Sequence, residues 1–230
     1  MIKNVVILTG AGISAESGLK TFRDANGLWE GHDVMEVASP QGFSRNPTLV
    51  LDFYNQRRRQ LLEVSPNEAH KALVALEAYF NVTIITQNVD DLHERAGSTQ
   101  VLHLHGELLK VRSAGGGRPI PWQKDLVVGD LCEKGQQLRP HIVWFGEEVP
   151  MMGKAIELTS SADLLMIVGT SMQVYPAASL INFIAPKTPI YFIDPRPSMA
   201  SDPEKKLLVI PENATKGVPS VVADLIHKVP

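Results

Sequence analysis

Short apolar runs punctuate the chain, and each stops at small or polar residues. Residues 4–9, Val82–Thr86, Val101–Leu104, Leu164–Val168 and Pro189–Ile193 are rich in β-branched and aliphatic side chains. Runs of this length and kind predict strands buried on both faces, as in a parallel sheet. Between them the period changes. Residues 46–63 start at Asn46-Pro47 and place Leu49, Val50, Phe53, Tyr54, Arg57, Leu61 and Leu62 at helical spacing. Residues 66–80 repeat the pattern with Ala69, Leu73, Leu76 and Phe80. Further helices are predicted over 151–162, 175–184 and 220–228. Strands alternating with helices predict an α/β fold, a Rossmann-like parallel sheet with helices on both faces. Residues 113–140 break the pattern. They are weakly periodic and rich in turn formers, which predicts a small inserted domain outside the main sheet.

The strand ends carry the candidate chemistry, because ligands of open α/β sheets sit at the carboxyl ends of the strands. The first strand runs into Gly10-Ala11-Gly12-Ile13-Ser14-Ala15, a G-x-G-x-x-A pattern in the context where it signals dinucleotide binding rather than a plain turn. The second run ends in Gln87, Asn88, Asp90, Asp91 and His93, and the next delivers His105 followed by Gly106. Asn88 can donate and accept, Asp90 can accept, and His105 can move a proton near neutral pH. Gly169-Thr170-Ser171 suits phosphate or ribose contact, and Asp194 is an acid at a strand end, the usual ribose partner. No second strand and acid follow Gly12 at dehydrogenase spacing. Thr21-Phe22-Arg23-Asp24-Ala25-Asn26-Gly27-Leu28-Trp29 stands there instead, a loop able to close over a nucleotide or to pack on the surface. Tyr54 and Arg57 lie three apart and share a helix face, a receptor for a carboxylate. Spacing alone favours ordinary amphipathic packing for the pair. Residues 139–147 read as an apolar strand followed by Gly146-Glu147, either an open edge for an extended peptide or an internal strand and turn.

Composition narrows the function classes. At 230 residues with 44% hydrophobic and 20% charged positions, the chain can bury a full core. A net charge of −3 without a long basic run argues against direct nucleic-acid binding. No apolar run approaches the roughly 18 residues of a membrane helix, so no membrane partner is expected. The single cysteine, Cys132, excludes a disulfide framework and favours a reducing compartment, here the cytoplasm.

In one order along the chain stand Gly10-Ala11-Gly12-Ile13-Ser14, Thr21-Phe22-Arg23, Thr86-Gln87-Asn88-Val89-Asp90, Leu92-His93, Ala96-Gly97, His105-Gly106, Phe145-Gly146-Glu147 and Gly169-Thr170-Ser171. That order resembles the sirtuins, NAD-dependent protein-lysine deacylases, over nearly the whole chain. It looks closest to the bacterial class akin to the desuccinylating sirtuins. The pointer is Phe53-Tyr54-Asn55-Gln56-Arg57, which resembles that class's Tyr-x-x-Arg pair for an acidic acyl group. The resemblance implies removal of succinyl, malonyl and acetyl groups from lysines of proteins or peptides, giving nicotinamide and O-acyl-ADP-ribose. It implies His105 as catalytic base with Asn88 and Asp90, and His103 as a bystander. NAD would be held by Gly10, Ala11, Gly12, Ser14, Thr21, Phe22, Arg23 and Trp29, by Gln87, Asn88, Val89 and Asp90, and on the adenosine side by Gly169, Thr170, Ser171, Asp194, Pro195, Arg196 and Ala214. Tyr54 and Arg57 would take the acyl end, and Val143, Phe145, Gly146 and Glu147 the peptide as an added strand. By the same resemblance residues 1–30, 76–110 and 141–230 form the Rossmann-like domain, with 31–75 as a helical insertion and 111–140 as a small module.

The chain departs from that pattern twice. Sirtuins usually carry four cysteines around a structural zinc. Here Ser113 stands about where the first belongs, Cys132 is the only cysteine, and no histidine lies between His105 and His141. A tetrahedral zinc site cannot be assembled from these residues, so no zinc is expected. The module should then be held by packing around Trp122, Leu126, Val127 and Leu131. Asp194 stands where the family often has Asn, and its charge favours NAD over NADP. Three other readings compete. A mono-ADP-ribosyltransferase would share the NAD chemistry, and Tyr54 and Arg57 speak against it. A non-enzymatic NAD module needs no His105, and a dehydrogenase needs the missing second strand.

Overall fold

A computed structural model of the chain describes residues 3–20, 28–29 and 31–229. Thr21, Phe22, Arg23 and the side chain of Trp29 lie outside the described residues. In chain order the elements are β1 (Asn4–Thr9), α1 (Gly12–Ala15), β2 (Leu28–Trp29), β3 (His32–Asp33), α2 (Val34–Val37), α3 (Pro40–Arg45), α4 (Pro47–Glu63), α5 (Glu68–Leu76), β4 (Asn81–Thr86), α6 (Leu92–Ala96), β5 (Val101–His103), β6 (Gly106–Ser113), β7 (Ile120–Pro121), β8 (Leu138–Ile142), α7 (Met152–Ser160), β9 (Leu164–Val168), β10 (Ile190–Ile193), β11 (Leu207–Ile210) and α8 (Ala214–His227). A 3-10 helix, Ala177–Phe183, precedes β10.

Six parallel strands form the main sheet in the order β11-β10-β9-β1-β4-β5. β1 and β9 are buried along nearly their whole length because helices cover both faces, which is why their sequences show no alternation. On one face Ile7, Ile84 and Met166 pack against Leu73 and Leu76 of α5 and Val218 and Val221 of α8. On the other, Leu8, Ile85, Leu165 and Phe192 meet Ala155 of α7 and Leu180 of the 3-10 helix. Helix α5 therefore belongs to the sheet layer and not to the 31–75 insertion, because its apolar stripe of Ala69, Leu73 and Leu76 packs on the strands. Helix α8 begins at Ala214, six residues before the predicted start. Pro219 sits inside it, and burial of Ala214, Gly217 and Val218 outweighs the proline signal. Among the described residues no helix is long and apolar enough to cross a membrane.

β6, β7 and β8 form a separate antiparallel sheet in the order β7-β6-β8. Its strands run through the expected boundaries at 110/111 and 140/141. The module packs on α4 through Leu51, Val111, Leu126 and Leu138, with Phe43, Trp122 and Cys132 at the margin. Two of the four residues expected to hold it do not: Val127, at the start of the 127–130 turn, is 55% exposed, and Leu131, bridged to Gln137, is 53% exposed. A buried polar clamp contributes instead. Asn55 of α4 donates from Nδ2 to the Leu126 carbonyl at 2.9 Å, and its Oδ1 accepts the Leu126 N–H at 2.8 Å and Arg58 Nη1 at 2.7 Å. Ser113, at the position expected for the first zinc cysteine, donates to Gln136 Oε1 at 2.7 Å. Asn55→Ala strands two backbone groups and a guanidinium away from water. It should cost about 2–4 kcal/mol and make residues 113–140 the first site cut in limited proteolysis. Urea unfolding and timed digestion check both, and an unchanged midpoint refutes the clamp.

Candidate active site

A cavity of about 520 Å³ opens at the carboxyl end of the main sheet, where the small module meets it. Its floor is two strand-end turns pressed together. Gly10 N donates to the Val168 carbonyl at 3.0 Å and Gly12 N to the Gly169 carbonyl at 2.8 Å. A Cβ on Gly12 would stand 2.6 Å from Gly169 Cα, so this approach requires glycine. Ala11 and Ser14 line the cavity on one turn, and Gly169, Thr170 and Ser171 on the other.

The end of β4 supplies the polar wall. Thr86 Oγ1 accepts the Asn88 N–H at 3.0 Å, and Gln87 Nε2 donates to Thr170 Oγ1 at 3.1 Å. Asn88 Nδ2 donates to Ser14 Oγ at 3.2 Å, and Ser14 Oγ donates to Asp90 Oδ2 at 3.0 Å. The Leu92 N–H reaches Asp90 Oδ1 at 3.1 Å. Asn88 and Asp90 are both buried. Burial pushes the Asp90 carboxyl up to about 6 despite the hydrogen bonds from Leu92 and Ser14 that favour its charge. Val89 lines the cavity beside them.

The two histidines of the Leu-His-Leu-His stretch part company. His105 lines the cavity, and its Nδ1 lies 3.0 Å from the Gln87 carbonyl. A carbonyl only accepts, so Nδ1 carries the proton and Nε2 is the basic nitrogen. Burial holds His105 below the usual histidine range against the opposing Gln87 bond, which keeps the ring neutral at physiological pH. His103 bonds the Asn88 carbonyl at 3.2 Å and Glu94 Oε1 at 2.6 Å, two acceptors that call for an imidazolium. Burial lowers its pKa, but the Glu94 bond and charge outweigh this and raise it overall. His103 is thus a strut behind Asn88. Gly106 sets the turn that separates the two roles: φ is +84°, and a Cβ would stand 2.0 Å from the His141 carbonyl oxygen.

His93 and Asp91 are structural. Buried His93 Nε2 lies 3.0 Å from Thr9 Oγ1, its ring is edge-on to His70 with centroids 4.9 Å apart, and Asp91 pairs with Arg95. At the far end of the sheet Asp194 is buried, and its Oδ1 accepts the Arg196 N–H at 2.8 Å. Pro195, Arg196 and Ala214 complete that side of the cavity.

At the other end Tyr54 and Arg57 also line the cavity. Tyr54 is fully buried, and its hydroxyl accepts from Trp144 Nε1 at 2.9 Å. Burial holds the phenol well above its usual range. Arg57 lies over the Phe53 ring at 3.5 Å and donates to the Phe53 carbonyl at 2.9 Å. The expected strand over 139–147 ends at Ile142 and gives way to a turn. β8 is an outer strand of its sheet. In the turn, Val143 N bonds the His105 carbonyl, Phe145 N the Ala38 carbonyl and Glu147 N the Trp144 carbonyl. The Glu147 carboxylate points inward, accepting from Arg139 at 2.7 and 3.0 Å and from Trp144 N at 2.8 Å. Phe145 and Gly146 are exposed. The sequence reading missed Trp144 and Arg139. The available signal was a Trp and an Arg flanking the apolar run, both buried in spite of their size and charge.

A model of the Sir2 family matches residues 10–176. The chain belongs to the Sir2 family. An NAD-dependent protein deacylase from Helicobacter pylori strain J99 is 60% identical over 227 residues, covering 98% of this chain and 97% of that protein. A crystal structure of a Sir2 homolog–NAD complex superimposes with a TM-score of 0.88 at 37% identity, covering 100% of this chain and 91% of its own. A Sir2 bound to acetylated peptide does so with a TM-score of 0.80 at 27% identity, covering 97% and 93%. As a Sir2-family enzyme the chain uses NAD. Its own residues fit that group: a glycine floor with no room for a Cβ, the buried acid Asp194 towards one end of the cavity, and a polar wall towards the other. Among the described residues no three His, Cys, Asp or Glu side chains gather as a metal-binding group.

Proposed function

We propose that the chain removes acyl groups from protein lysines with NAD, taking succinyl and malonyl as well as acetyl, and gives nicotinamide and O-acyl-ADP-ribose. The observation that carries this reading is one cavity lined by a neutral, tautomer-fixed histidine at one wall and a tyrosine–arginine pair at another. Bound NAD supplies the ribose carbon that takes the acyl oxygen. Gly10, Ala11, Gly12 and Ser14 hold the phosphates, and Thr21, Phe22, Arg23 and the Trp29 side chain, outside the described residues, are assigned to NAD on the sequence motif alone. Gly169–Ser171, Asp194–Arg196 and Ala214 hold the adenosine half. Gln87, Asn88, Val89 and Asp90 seat the nicotinamide riboside. His105 Nε2 draws the proton from the ribose hydroxyls, as its freedom from charge permits. Val143, Phe145, Gly146 and Glu147 border the substrate peptide. Because the N–H groups of Val143, Phe145 and Glu147 are already engaged, carbonyl oxygens and Gly146 are left to pair with it. The partners are acylated proteins or peptides.

The acyl preference rests on Tyr54 and Arg57. A guanidinium on a carboxylate-tipped chain contributes about 1.5–3 kcal/mol, so Arg57→Met should cut kcat/KM for a succinyl-lysine peptide roughly 10- to 100-fold and raise KM. An acetyl-lysine peptide of the same sequence should change far less. Nicotinamide release from the two peptides is the measurement. Equal losses on both, or none, would leave a deacetylase without an acidic-acyl pocket.

A further inference from the structure

We propose that the Arg139–Glu147 ion pair latches the 143–147 turn in the shape that receives the substrate peptide, which makes Arg139 a positioning residue for the peptide chain and not for the acyl group. The proposal deepens the reading in which this turn borders the peptide, and rests on it. Strand β8 stops at Ile142, and the chain then turns through Gly146 at φ +88°. A Cβ at Gly146 would meet nothing within 4 Å, so the glycine serves its backbone angle and not a close approach. The main chain of the turn is tied to the body at two points, Val143 N to the His105 carbonyl and Phe145 N to the Ala38 carbonyl, both at 2.9 Å. The Glu147 side chain makes the third tie. Its Oε1 accepts Arg139 Nη1 at 2.7 Å, and its Oε2 accepts Arg139 Nη2 at 3.0 Å and the Trp144 N–H at 2.8 Å. Arg112 Nη2 stands 3.4 Å from the same Oε2. A carboxylate has about four acceptor positions, and these donors occupy them. The Glu147 side chain therefore acts on the turn and has little left to offer a peptide.

Arg139 is buried and held from several sides. Its Nη2 also donates to the Ile142 carbonyl at 2.9 Å, where β8 ends, and its guanidinium lies 3.3 Å over the Trp144 ring. Burial pushes the Glu147 carboxyl up, but the bonds from Arg139 outweigh it and hold the acid below the usual carboxylate range. The pair thus stays ionised at neutral pH, where a bidentate bond is strongest. One planar cation joins the end of the strand, the indole and the end of the turn. A turn closed in this way needs no ordering when a peptide arrives, and such preorganisation is read as affinity. Phe145 and Gly146, between the ties, are left exposed.

The test compares kcat and KM in wild type, Arg139→Met, Arg139→Lys, Glu147→Gln and the Arg139→Met/Glu147→Gln double variant. Two substrates are used: an acyl-lysine within a peptide, and the same acyl-lysine blocked at both ends with no flanking residues. Arg139→Met should raise KM for the peptide roughly five- to twentyfold, equally for its acetyl and succinyl forms, with kcat held within about twofold. The blocked lysine has no chain to lay along the turn, so its KM should stay at the wild-type value. The NAD dissociation constant, measured without peptide, should stay there too. Arg139→Lys keeps the charge but replaces a fork by one point of attachment, and should fall between wild type and Arg139→Met. The double variant should do no more harm than the worse single one, because both break one latch. A peptide with a photoreactive residue beside the acyl-lysine, crosslinked and mapped by mass spectrometry, tests the peptide reading separately. Labelling of residues 143–147 with an unchanged peptide KM in the variants overturns the latch and spares that reading. Labelling elsewhere overturns both. Equal rises in KM for peptide and blocked lysine, or a loss in kcat alone, would make the pair ordinary scaffolding. If Arg139→Met does not fold, Glu147→Gln has the native shape and carries the same comparison.

Discussion

His105→Ala should abolish measurable deacylation, lowering kcat/KM on acetyl- and succinyl-lysine peptides alike by about 10²–10⁴. The succinyl-to-acetyl ratio should stay as in wild type, because His105, held by the Gln87 carbonyl, is not part of the Tyr54–Arg57 pair proposed to take the acyl end. The size follows from the tautomer: the Gln87 carbonyl at 3.0 Å keeps the proton on Nδ1, so Nε2 is a base in every molecule and needs no reorganisation before it acts. His103→Gln is the control. It removes a strut bonded to Glu94 and the Asn88 carbonyl, and should cost stability before it costs chemistry. The pH profile adds a sharper check. Burial holds His105 below 6.5, so the acid limb of kcat/KM, where the base becomes protonated, should fall below pH 6.5. An acid limb above that value, or an active His105→Ala enzyme, would remove His105 from the reaction.

How much of this was legible beforehand varies with the range of the interactions involved. Residues 4–9 and Leu164–Val168 declared themselves because burial on both faces leaves an unbroken apolar run, and a strand end in such a sheet is a site by position alone. Gln87, Asn88, Asp90, His105 and Gly169–Ser171 were found on that ground, and all line one cavity. Helix α8 was found late in its course because Pro219 is a local stop signal that only packing against β10 and β11 overrides. β11 was missed: its Leu208 is 49% exposed at the sheet edge, so the run lacks the depth of the central strands. Val127 and Leu131 look like core in the sequence because composition cannot tell an apolar turn from an apolar interior. Trp144 and Tyr54 are 90 positions apart, and no local pattern announces that one donates to the other. Glu147 was read as part of a strand pairing with the substrate peptide, and no local pattern announces that Arg139, eight residues earlier, holds its side chain. The polar residues that gather at the strand ends were thus readable, and the scaffold packed behind them was not.

Asp90→Asn should stabilise the protein while disabling it. The Asp90 carboxyl titrates near 6 in the folded chain against an ordinary 3.8, because burial disfavours its charge. A raised pKa in an acid means that ionisation opposes folding: the cost is absent below about pH 4, grows between 4 and 6, and is complete above 6. At 1.36 kcal/mol per unit it reaches about 3 kcal/mol at pH 7.5. Asparagine has the same shape. Its Oδ1 still accepts the Leu92 N–H, and its amide faces Ser14 Oγ, which can accept as well as donate. Urea unfolding without NAD should therefore show Asp90→Asn more stable than wild type by about 2–3 kcal/mol at pH 7.5, with the gap closing towards pH 4. Other acid-sensitive groups, such as buried His70 with its pKa lowered to about 4, are common to both proteins and cancel in the difference. Deacylation should fall roughly 100-fold, as loss of one preorganised electrostatic group at a reacting centre does. A gap that persists at pH 4 would mean that asparagine stabilises by packing and that Asp90 bears no strained charge. If activity survived alongside the expected stability gain, the chain would be keeping a costly buried carboxylate without using it in the reaction. Stability lost together with activity would make Asp90 a structural acid, held in place by Ser14 and Leu92 for the sake of the turn alone.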